Sequence, residues 1–194
     1  MIVRNYKGKL HNNRAFTLAE TLVAILILLM VSSILASGIP VAKKAYDKVV
    51  VASNAEVLLS TTISALRNEL GTARNVNTSE TTITFFNETL NTRSRIYLAD
   101  GSEKEPDNKP IPQGTIIYQR YYKTNISSDD DGTGDKIRLV SAEASNKNLI
   151  VTYGSVAYSG GIITFTDLKV LRETGGAPLA ERPALSIRLI AENH

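Results

Sequence analysis

R-A-F-T-L-A-E-T-L-V-A-I-L-I-L-L-M-V-S-S-I-L-A-S-G-I-P-V-A-K-K-A, residues 14–45, decides how the rest of the chain reads. No charged side chain lies between Glu20 and Lys43. That run of about 22 residues is long enough, as a helix, to cross the roughly 30 Å hydrocarbon core of a bilayer. One carboxylate, Glu20, stands at the mouth of the run, just after Phe16. A charge at the centre of a membrane span costs roughly 2.5–3.5 kcal/mol and less near the interface. An opposite charge close by would offset part of that cost.

Ahead of the run, residues 1–15 hold Arg4, Lys7, Lys9 and Arg14 and no acid. A basic leader, a small residue, F-T-L-x-E and an unbroken apolar helix resemble the N-terminus of type IV prepilins and type II secretion pseudopilins. The resemblance implies that a membrane prepilin peptidase cuts between Ala15 and Phe16 and methylates the new amino group of Phe16. It implies that Glu20 pairs with the terminal ammonium of a neighbouring subunit. Phe16, Leu18, Leu22, Ile25 and Leu29 would then pack shaft against shaft. The family usually carries Gly before the cut; Ala15 departs from that pattern but is also small.

The division that follows is a leader (1–15), a membrane and assembly helix (16–42), an amphipathic continuation of that helix (43–71) and an extracytoplasmic β-rich domain (72–194). A basic leader favours a cytoplasmic N-terminus, although Lys43, Lys44 and Lys48 follow the span. An ordinary secretory signal would be an alternative, with Ala36 and Gly38 imitating its cleavage site; the run is longer than a usual signal core, and Glu20 at its start is atypical.

Charge location limits function. The chain has 22 Lys and Arg against 19 Asp and Glu; without the four leader bases the balance is 18 against 19, or −1. The net excess of +3 is thus a leader property and gives no support for a basic nucleic-acid-binding surface. With no Cys there is no disulfide framework and no thiolate metal site. His11 and His194 are the two histidines, and no nucleophile or phosphate-binding motif accompanies them, so catalysis finds no support.

Beyond Lys43, Ala45, Val49, Ala52, Ala55, Leu59, Ile63, Leu66 and Leu70 recur at helical spacing, one apolar stripe that predicts core packing. Pro40 predicts a bend near residues 37–40, and Gly71 a left-handed helix end. From Thr17 to Leu70 such a helix would be about 80 Å long. Strand-like runs follow at 81–87, 93–98, 115–123, 136–141, 149–153, 162–171 (with a break at Asp167) and 185–191. Residues 99–113 and 173–183 read as exposed Gly/Pro loops. The pattern is α+β: one long N-terminal helix, its second half covered by a twisted antiparallel sheet, as in pilins.

Two further stretches carry candidate chemistry. In S-S-D-D-D-G-T-G-D, Asp129, Asp131, Thr133 and Asp135 have part of the spacing of a Ca²⁺ loop. Position twelve is Val140, where such a loop needs Glu, so an acidic hairpin tip fits as well. Tyr118, Arg120, Tyr121, Tyr122 and Lys123 mix aromatics and bases as a single-strand stacking surface would, but alternation along a strand divides them between two faces. Sheet packing accounts for them. The function expected is a structural subunit, a minor pilin or pseudopilin, of a type IV pilus or secretion filament. Its partners would be prepilin peptidase, other pilin subunits, assembly machinery and membrane lipid, without nucleic acid. The alternatives are an anchored or secreted adhesive domain without a filament and a DNA-uptake pseudopilin.

Overall fold

The computed structural model describes residues 17–87, 91–105, 107–120, 136–140 and 149–190. Helix α1 (Leu18–Leu70) is followed by β1 (Ala73–Ser79), β2 (Thr82–Asn87), β3 (Thr92–Leu98), β4 (Ile116–Arg120), β5 (Lys136–Arg138), β6 (Leu149–Thr152), β7 (Ser155–Ser159), β8 (Ile162–Arg172) and β9 (Ala180–Arg188). This is an α+β, pilin-like architecture of one long N-terminal helix and antiparallel sheets.

The chain falls into two compact units, Met1–Asp47 and Lys48–His194. In the first, every described residue is exposed. Its apolar window reaches a mean hydropathy of 2.7 with none of it buried, as suits a helix whose surroundings are lipid or other helices. The helix runs through Gly38 and Pro40 without interruption.

In the second unit the helix buries one stripe. Ala55, Leu58, Leu59, Thr62, Leu66 and Leu70 are buried. The stripe begins later than its sequence spacing suggested: Ala45, Val49 and Ala52 are exposed, because the core reaches no further back than the half-buried Val51. The helix stops where the Gly71 amide donates to the Arg67 carbonyl at 2.9 Å. Gly71 does not take the expected left-handed conformation. It is required by close approach instead, since a Cβ there would stand 2.8 Å from the Arg67 oxygen.

Where one sheet was expected, there are two. The first has the order β1-β2-β3-β4-β5. In the second, β8 pairs with β6 and β7 along one edge and β9 along the other. The Val156 amide bonding to the Glu80 carbonyl at 2.8 Å and the Tyr153 hydroxyl bonding to the Thr81 carbonyl at 2.7 Å tie the sheets together. Both contribute to one core with the helix: Ile83, Phe85, Ile96 and Tyr118 from the first, Ile163, Phe165, Leu168 and Val170 from the second. Each such side chain taken from water contributes roughly 1.5–3 kcal/mol before chain entropy is counted. Phe85 stacks on Tyr118 with ring centres 6.4 Å apart, and Tyr153 meets Phe165 edge-on at 5.1 Å.

Two strands, β1 and β7, were not expected. β9 begins at Ala180, so residues 180–183 belong to a strand rather than to the predicted loop. Pro183 falls where the ladder skips, between the Arg182–Leu168 and Ala184–Thr166 pairs, and among the described residues β9 pairs with β8 alone. Asp167 takes a φ of 52° inside a continuous β8, which accounts for the break in its apolar pattern. Residues 99–113 are less irregular than their prolines implied. Ile111 is buried with Ala99 and Ile117 in a second small core. The Glu103 carboxylate accepts from the amides of Asp100 (3.0 Å) and Gly101 (3.2 Å), and Arg138 Nε lies 2.6 Å from a Glu105 oxygen.

Candidate functional site

The N-terminus of α1 is closed by its own residues. Thr17 Oγ1 accepts from the Glu20 amide at 3.3 Å, while Glu20 Oε2 accepts from the Thr17 amide at 2.8 Å and from the Thr17 hydroxyl at 3.0 Å. This is a capping box, in which residues three apart satisfy donors that a helix start leaves open. T-L-A-E at 17–20 carries its signature in the sequence, a threonine and a glutamate three apart at a helix start. Glu20 also lies in the first turn, where the helix dipole favours an anion. Without a partner chain, the carboxylate is already held by two donors.

The apolar residues divide by face. Leu18, Leu22, Ile25 and Leu29 follow at intervals of four, three and four, so they share one side of the helix. They are 83, 61, 56 and 64 % exposed. Glu20 sits on another side, with Ala19, Val23, Ala24 and Ile27 lining a shallow groove beside it. The leucine row and the carboxylate thus point in different directions from one shaft. Two small residues flank Glu20 and leave room for a neighbour to approach.

Ala15 and Phe16 lie outside the described residues, as do Asp129, Asp131, Thr133 and Asp135. Among the described residues, no group of three or more His, Cys, Asp or Glu could hold a metal ion. Of the aromatic-basic run at 118–123, Tyr118 is 2 % exposed in the core. Its hydroxyl meets Ser94 Oγ at 3.3 Å, and Arg120 lies 5.5 Å from its ring centre. Burial raises the Tyr118 phenol above its usual range. Residues 121–123 lie outside the described residues.

Residues 10–36 match the family model of the prokaryotic N-terminal methylation motif. The match spans the 15–16 junction, the Thr17–Glu20 cap and most of the apolar run. The chain therefore carries the hallmark of type IV prepilins and pseudopilins, a class whose parts are structural rather than catalytic. Comparison with curated proteins and with solved structures returned no match.

Proposed function

We propose that the chain is a minor pilin or pseudopilin, built into a filament through its N-terminal helix. The observation that carries this reading is the methylation motif set on an apolar shaft whose described residues are all exposed. The chain waits in the cytoplasmic membrane with its N-terminus inside and residues 72–194 outside. Prepilin peptidase cuts between Ala15 and Phe16, removing four basic side chains and leaving an ammonium on Phe16 that is then methylated. The ammonium of one subunit and Glu20 of its neighbour satisfy each other, exchanging the internal cap for a charge pair.

Within lipid the shafts gain little from apolarity, because lipid is equally apolar; packing and the polar pair direct association. Once the subunit leaves the membrane, burial of the Leu18, Leu22, Ile25 and Leu29 row becomes favourable.

Mass spectrometry of the N-terminal peptide, taken from membranes of the native cell, tests this. A chain starting at Phe16, methylated or not, is expected. A start near residues 37–39 would mean ordinary signal cleavage and would sink the reading. Glu20→Ala should be cleaved but poorly incorporated into filaments, whereas Ala15→Leu should block cleavage.

A further inference from the structure

Two backbone bonds fix which way β9 turns its polar groups. The Leu189 amide donates to the Gly161 carbonyl at 2.9 Å, toward β8, and the Ile190 amide donates to the Gly71 carbonyl at 3.0 Å, away from β8. Amides alternate in direction along a strand, so those of Arg188, Ser186 and Ala184 turn the same way as that of Ile190. Among the described residues β9 pairs with β8 alone, and no strand meets these three. Pro183 belongs to the other set. Its missing amide falls on the β8 side, where the ladder skips, so it does not blunt the outer edge. A groove of about 390 Å³ lies against this edge, lined by Glu56, Ser60 and Arg67 from α1 and by Arg182, Ala184 and Ser186 from β9. All six residues are exposed. Neither Arg67 nor Arg182 has an ion-pair partner among the described residues. Glu56 stands about 16 Å from Arg67 along the helix, at 1.5 Å per residue, too far to pair with it.

We propose that β9 accepts an acidic, extended segment of a partner protein as a further strand. The outward amides and carbonyls of Ala184, Ser186 and Arg188 supply the main-chain ladder, and carboxylates on the incoming strand meet Arg67 and Arg182. Two guanidinium groups against one carboxylate leave the groove with a positive excess, which selects an acidic segment over a basic one. The small Ser60 side chain leaves room on the helix wall for side chains of the added strand. The bond from Ile190 to Gly71 closes one end of the edge and so bounds that strand. All of these groups belong to the unit Lys48–His194, and the proposal does not rest on filament assembly.

The test is fluorescence anisotropy of a labelled peptide of alternating threonine and glutamate, nine residues long to match β9. The full chain is used in detergent micelles, with the leader's charges common to every variant. Arg67→Glu and Arg182→Glu should each lose roughly ten-fold or more in affinity. Ser186→Pro should lose as much, because it removes an outward amide while costing β8 no bond. Arg93→Glu, exposed on the first sheet, should change little. A peptide with lysine in place of glutamate should bind far more weakly, and so should the acidic peptide N-methylated at its three central residues. Unchanged binding by Ser186→Pro overturns strand addition, as does equal binding of the N-methylated peptide. Equal binding of the lysine peptide, or an equal loss in Arg93→Glu, overturns the role of the two arginines. If Ser186→Pro fails to fold, the N-methylated peptide alone decides the ladder.

Discussion

The two halves of α1 have the same backbone and opposite surroundings. From Leu18 to Asp47 every side chain is exposed and most are apolar; from Lys48 to Leu70 one stripe is sealed beneath two sheets and much of the rest is polar. Helical hydrogen bonding is indifferent to this change. The difference lies in where apolar area goes: in the second half it is removed from water by the chain itself, in the first it awaits lipid or another molecule. A folding measurement on the monomer should therefore be sensitive to one half and nearly blind to the other.

The sharpest test of that contrast is Leu66→Ala. Leu66 is 0 % exposed, so its truncation should destabilise the domain by about 2–5 kcal/mol in denaturant unfolding of the detergent-solubilised chain. Next comes the core's response to alkali. Burial raises the Tyr153 phenol above its usual range, and its hydroxyl donates to the Thr81 carbonyl. The unfolded phenol ionises near pH 10, so the folded state binds more protons above that pH. Stability is full below pH 10 and should then fall by up to about 1.4 kcal/mol per unit, with Tyr153→Phe less steep. Tyr118→Phe should cost about 1 kcal/mol by removing the hydroxyl shared with Ser94. The smallest effect belongs to the first half: Ile25→Ala should move the same unfolding midpoint by under about 0.5 kcal/mol. A loss as large as that of Leu66→Ala would show that the shaft packs within its own chain after all.

The sequence displayed this contrast unevenly. The uncharged run after Glu20 and the apolar stripe toward Leu70 were readable because each is a long, repeated pattern. Where the stripe becomes buried was not readable. Val49 and Ala52 obey the same spacing as Leu59 and Leu66, and only the extent of the sheets separates them. Strand β2 stood out through Ile83, Phe85 and their alternation, whereas β1 (A-R-N-V-N-T-S) is polar and carries a register shift between Arg74 and Asn77 that hides its period. Strand β9 begins inside a Gly- and Pro-containing stretch that resembles a loop, and Pro183 argues against a ladder only where a strand is paired on both sides. At the candidate site, Glu20 stands out by residue type as a carboxylate at the start of an uncharged run, while the 15–16 junction lies outside the described residues. The cap was equally visible in T-L-A-E, but it speaks in hydrogen bonds rather than in charge.

That cap has a consequence for the order of events. All of its donors and acceptors belong to Thr17 and Glu20, on the far side of the proposed cut from the leader. Trimming the chain before Phe16 would leave the knot at the helix start tied. The processed subunit could keep a finished end while it diffuses, and would untie it only on meeting a neighbour whose ammonium takes the carboxylate. On that proposal the helix would carry a latch that cleavage leaves in place and docking releases.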